Sequence, residues 1–284
     1  MPSPEDIENG LTHADPAIRE RWAGRDTFVP TPAQIERGLC DPEERVRWTW
    51  AQRRDFTPSA AQVERGLSDI SRDVRWAWAM RTDVRPTAAQ IERGLTDEDI
   101  GVRLTWVERM DFSPTAAQID RGMADTVSGI REAWARRDNV TPTAAQVERG
   151  LADPDPVVRE TWLQRGDWVP SADQVDRGLH DPDDNVRHAW SCRLDFTPTA
   201  GQIAQLLADP SGPVRCTTAL RPDFVPTPDQ VERGLTDAFD PVRQAWVRRR
   251  DYTPTAGQIE RGRADANPYV RAEWDERLKE PTVD

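Results

Sequence analysis

The side chains able to do chemistry in this 284-residue chain are few. His188 and Cys192 sit four residues apart, and Cys216 follows His188 by 28 residues. On a helix the first two share a face, and three soft donors of this kind could hold zinc. They arise, however, at positions that differ throughout the chain, and no fourth ligand accompanies them. The expectation is therefore no metal and no cofactor. His13, His180 and His188 share no nucleophile, and there is no glycine-rich phosphate loop. No enzyme is expected. Arg37, Arg47 and Arg53 recur along the chain and could suggest a ladder for phosphates, but Glu36, Asp41 and Asp55 recur with them. The repeated part is thus neutral, and the arginines are expected to pair within and between copies. With a net charge of −12 and Lys279 the one lysine, the chain suits a partly basic partner better than a phosphate backbone.

The recurrence itself sets the elements that must carry these residues. Pro30 to Thr57 is one copy of a 28-residue unit repeated without insertion, starting at Pro2, Pro30, Pro58, Pro86, Pro114, Pro142, Pro170, Pro198, Pro226 and Pro254. A glutamine series from Gln34 to Gln258 and a tryptophan series from Trp22 to Trp274 mark its two halves. A fixed period of this length without a strand pattern indicates stacked repeats that bury apolar faces against their neighbours. Residues 1–284 are read as one elongated repeat domain.

Within the unit, Thr31-Pro32-Ala33-Gln34 has the form of a capping box, which starts a short helix A of about two turns carrying Ile35 and Leu39 on one edge. Helix A is expected to stop near Gly38, and Asp41 to hold the following turn. The place of Glu43 is taken elsewhere by Ser71, Asp99, Asp155, Asp183, Ser211 and Asn267, all side chains of helix N-caps, so helix B begins just after it. Val46, Thr49, Trp50 and Arg53 then form the buried face of helix B, with the Arg53 head expected in water. Phe56 fills the gap before the next helix A.

The run Asp-x-x-x-x-Val-Arg-x-x-Trp, as from Asp153 to Trp162, resembles HEAT-like repeats and, more closely, leucine-rich-variant repeats, in which a short helix alternates with a longer one. The resemblance implies an all-α fold, a right-handed α-solenoid of ten two-helix repeats with the B helices lining the concave side. It also implies a scaffolding or binding role. The iron–sulfur cluster known beside some variant repeats needs a cysteine group absent here, so no cofactor is implied.

In the repeat from Pro198 the glycine and the tryptophan are both replaced, by Leu206 and Thr218. Volume lost at one place has returned at the other, which suggests that the two positions touch. The end copies carry Asn9 and His13 for the usual arginine and aspartate, and Arg263 for the core leucine, as exposed ends of an array would.

Function is sought where copies differ. Two helix B positions vary most, and both are expected to face solvent opposite Val46 and Trp50. The first holds Glu20, Trp48, Trp76, Leu104, Glu132, Glu160, His188, Cys216, Gln244 and Ala272; the second holds Gly24, Gln52, Met80, Glu108, Arg136, Gln164, Cys192, Leu220, Arg248 and Glu276. Glu44, Arg72, Ile100 and Ser128 extend the stripe. Trp, Leu, Met and Cys beside Glu and Arg are what a groove fitted to a partner would show, and Trp48, Trp76, Met80 and Leu104 would form one apolar patch.

The leading expectation is a monomeric cytoplasmic scaffold that binds a protein or peptide, partly basic with an apolar segment. No segment addresses a membrane. Two alternatives stay open: a nucleic-acid reader using one variable pair per repeat, and an acidic imitation of nucleic acid.

Overall fold

The computed structural model describes residues 2–279. Among them twenty α-helices follow one another, alternately A and B, with no strand. The chain falls into two compact units, Met1–Val140 and Thr141–Asp284. Inside each unit an A helix packs on its own B helix, B on the next B, and A on the next A.

All ten A helices start with a complete capping box. At Pro32–Leu39 the Gln34 amide donates to Thr31 Oγ1 (3.3 Å), and the Thr31 amide donates to Gln34 Oε1 (2.9 Å). Such a cap is worth about 1 kcal/mol and fixes where each helix begins. Helix A runs through Gly38 to Leu39, and no glycine has a positive φ among the described residues. The helix thus ends near Gly38 as expected, but without a left-handed glycine cap. Gly38 lies in the last turn because of what it lacks: a Cβ there would come within 2.0 Å of Trp50 Nε1. The same clash would occur in every repeat that has the tryptophan.

In the repeat from Pro198, Leu206 and Thr218 are both fully buried (0 % exposed), and Leu206 fills the space beside Val214 where the indole would lie. The contact inferred from that double exchange is present in the other nine repeats. At the far end, Arg263 is exposed and ion-paired with Asp275, as expected of an open face.

Helix B spans Glu44–Gln52 in the second repeat. The residue before it is the N-cap throughout, but Glu43, Ser71, Val127, Ser211 and Phe239 make no side-chain cap, unlike Asp99, Asp155, Asp183 and Asn267. The constant element is the aspartate two residues earlier: Asp41 Oδ1 accepts from the Glu43 amide at 2.9 Å. His13 takes that place in the first repeat, its Nδ1 accepting from the Asp15 amide.

Arginines link the repeats in both directions. Arg47 forms a bidentate pair with Asp69 of the next repeat (2.7 and 2.8 Å) and donates to the Asp41 carbonyl in its own loop. The head of the Arg53 series is buried rather than wet, which corrects the sequence expectation. Arg81 is 0 % exposed and donates to the carbonyls of Ala51, Arg53 and Phe56 in the preceding repeat and to Asp83. The reason is local geometry. The last carbonyls of a B helix have no partner inside that helix, and a cation placed there satisfies them and the helix dipole together. The guanidinium also lies 4.9 Å from the centre of Phe56 and 5.3 Å from that of Trp78.

Candidate binding groove

The two variable positions differ in environment. The second position is exposed wherever it carries a side chain: Gln52, Met80, Glu108, Arg136, Gln164, Cys192, Leu220, Arg248 and Glu276 all reach solvent. The first is half-buried at Glu20, Trp48, Leu104, Glu132, Glu160, His188, Cys216 and Gln244, and exposed at Trp76 and Ala272. Its residues sit where one B helix approaches the next, so they are shielded by the neighbour. Thus His188 Nε2 lies 2.9 Å from Thr217 Oγ1, Gln244 donates to Glu273 at 3.2 Å, and the Cys216 thiol reaches the Pro241 carbonyl at 3.5 Å. The expectation that both positions face open solvent holds for the second and is corrected for the first.

Of the possible metal ligands, His188 and Cys192 meet each other and Cys216 is engaged elsewhere. His188 Nε2 is 3.8 Å from Cys192 Sγ, while Cys216 points to Pro241. Burial pushes the Cys216 thiol above the ordinary range, and partial desolvation does the same to the Cys192 thiol, which still reaches solvent, so both are held protonated. Among the described residues no group of three or more His, Cys, Asp or Glu side chains is arranged for a metal ion.

In the unit Met1–Val140 the stripe contains a groove of about 480 Å³ lined by Glu20, Glu44, Arg45, Trp48, Ser71, Asp73 and Trp76. An adjoining cleft of about 530 Å³ shares Trp76 and Asp73 and adds Arg72, Glu98 and Ile100. Trp76, 38 % exposed, is the wall between them. Trp48 and Trp76 are thus brought together as expected, and Ile100 joins Trp76. Met80 and Leu104 line neither space.

Arg45 and Asp73 were missed in the sequence. They occupy one further variable position, three residues before Trp48 and Trp76, and that i, i+3 spacing was the available signal.

The carboxylates of this groove differ from those that join one repeat to the next. Glu36, Glu64 and Glu92 each accept from an arginine and a glutamine of the next repeat, and Asp69 and Asp97 each take a bidentate arginine. The side-chain carboxylates of Glu20 and Glu44 make no hydrogen bond or ion pair among the described residues. Asp73 has only a 3.6 Å solvent-exposed contact with its neighbour Arg72.

Residues 144–164, most of one A–B pair, match the family described as HEAT repeat associated with sister chromatid cohesion. Among solved structures the chain is similar to "a leucine-rich repeat variant with a novel repetitive protein structural motif", with a TM-score of 0.57 and 20 % identity over 87 % of each chain. At that identity the likeness is one of fold. No curated protein matches the sequence. Helical repeats of this kind suggest a binding or structural role, commonly toward proteins, and are typical of non-enzymatic scaffolds. No helix among the described residues is long and apolar enough to cross a membrane.

Proposed function

We propose, from the premise that this chain is a HEAT-like helical-repeat solenoid with the fold of the leucine-rich repeat variant, that it is a non-enzymatic scaffold whose variable B-helix stripe holds a peptide or protein surface. The observation that carries the reading is the groove between Trp48 and Trp76, rimmed by carboxylates that the fold leaves unused. Indole rings supply large contact area at small entropic cost, which is why tryptophan so often dominates binding energy. The lining carries Glu20, Glu44 and Asp73 against Arg45, so the partner is basic near the indoles and a nucleic-acid backbone is repelled.

A displayed library of random peptides, selected on the wild-type protein and counter-selected on the Trp48→Ala/Trp76→Ala variant, tests the reading. Peptides held by the wild type alone, with both proteins melting at nearly the same temperature, are the expected result. If no peptide distinguishes the two proteins, the groove is not a binding site.

A further inference from the structure

We infer that the groove takes arginine side chains carried three residues apart on an extended, polyproline-II-like peptide. This rests on the scaffold reading above and names the ligand for it.

The protein itself shows how it holds a guanidinium. Arg53, Arg81 and Arg109 place theirs 5.3, 5.3 and 5.2 Å from the ring centres of Trp50, Trp78 and Trp106. Each also pairs with a carboxylate two residues on, Asp55, Asp83 or Asp111. An indole face with an adjacent carboxylate is thus the device that recurs in the fold, and both halves of it act on the same cation.

Trp48 and Trp76 offer the same elements with no guanidinium stacked on either ring among the described residues. Glu20, Glu44 and Asp73 line the same space with Arg45, which leaves carboxylates in excess. A carboxylate left unpaired beside an exposed indole is what an incoming arginine would complete. Lysine would fit less well, because its ammonium is a strongly hydrated point charge that can neither stack on an indole nor bridge both oxygens of a carboxylate.

The spacing sets the peptide. Trp48 and Trp76 occupy the same position in consecutive repeats, 28 residues apart, on B helices that pack at roughly 10 Å. A polyproline-II chain rises about 3.1 Å per residue with three residues per turn, so side chains at i and i+3 point the same way about 9 Å apart. One arginine then meets each indole. Such a chain keeps its backbone solvated, which suits a helical surface with no strand edge to pair with.

The test uses the full chain and three synthetic peptides of equal length and charge: repeated Pro-Pro-Arg triplets, repeated Pro-Pro-Lys triplets, and a peptide of the same proline and arginine content in which no two arginines stand three residues apart. Binding is read by calorimetry at about 150 mM salt, where exposed long-range attraction is screened. The triplet arginine peptide should bind at least about tenfold more tightly than the other two. It should lose about tenfold or more with Trp76→Ala, and likewise with Glu20→Gln/Asp73→Asn, a variant whose carboxylates make no structural pair beyond the exposed Asp73–Arg72 contact. Equal binding of all three peptides, no binding, or binding indifferent to these variants overturns the inference. The library selection above keeps the two readings apart: wild-type-specific peptides without arginine would sink this inference and leave the scaffold standing.

Discussion

Gly38 and Trp50 are fitted to each other: the indole occupies the place where a Cβ on residue 38 would be, 2.0 Å from Nε1. Trp50 is 1 % exposed and has no free side to move toward. Gly38→Ala should therefore destabilise the protein by about 1–3 kcal/mol, the usual cost of overpacking, although alanine is the better helix former. Urea unfolding of this variant beside Gly129→Ala, where a Cβ meets nothing within 4 Å, provides the check. Equal stabilities would show that the ring yields.

The repeat from Pro198 should be locally soft. Its A and B helices, Ala200–Leu206 and Gly212–Leu220, meet less extensively than those of the repeat from Pro142, although the B helix stays packed on the next B helix. Ala204 replaces the glutamate that would receive Gln230 and Arg233, and Gln205 compensates only by donating to the Leu179 carbonyl at 2.9 Å. Amide exchange in Gly212–Leu220 should be faster than in Pro156–Leu163. Leu206→Gly with Thr218→Trp should slow it more than the two single changes together imply. Simple additivity would contradict the fit between those positions.

Arg81 ties two repeats through three carbonyls and one carboxylate. Arg81→Ala should cost about 3–5 kcal/mol, because it leaves buried acceptors and Asp83 without their donor. Arg81→Lys should recover little, since one ammonium cannot span the same acceptors. Denaturant unfolding of the pair decides it, and a lysine variant as stable as the parent would deny the fork geometry its role.

Acid should weaken the links between A helices. Hydrogen bonds from Arg65 and Gln62 lower the Glu36 pKa from the ordinary 4.5 to about 2, and arginine partners likewise lower Glu64 and Glu92. A carboxylate with a depressed folded pKa contributes fully above its unfolded value and loses that contribution as pH falls through the folded one. The melting temperature should thus drop between about pH 4.5 and about pH 2, and Glu36→Gln should make that drop shallower. A melting temperature flat across this window would remove the ladder from the account.

What could be read from the sequence was local or repeated. Thr31 and Gln34 announce a helix start by their types and spacing alone, and the paired loss at Leu206 and Thr218 announces a contact. The Arg53 head was misplaced because its acceptors, the carbonyls of Ala23, Arg25 and Phe28, lie in the preceding repeat and carry no residue type to read. The half-burial of Trp48 and His188 was missed for a related reason, since helical periodicity places a residue relative to its own helix and not to the next B helix. Asp73 and Arg45 escaped because the stripe was drawn through i and i+4 neighbours alone.

The most direct test of the groove uses the indole N–H resonances of the twelve tryptophans during titration with a peptide held by the wild type alone. The signals of Trp48 and Trp76 should shift with occupancy, while those of the buried series, such as Trp50, Trp78 and Trp106, stay in place. Movement of the buried series with Trp48 and Trp76 silent would contradict the account.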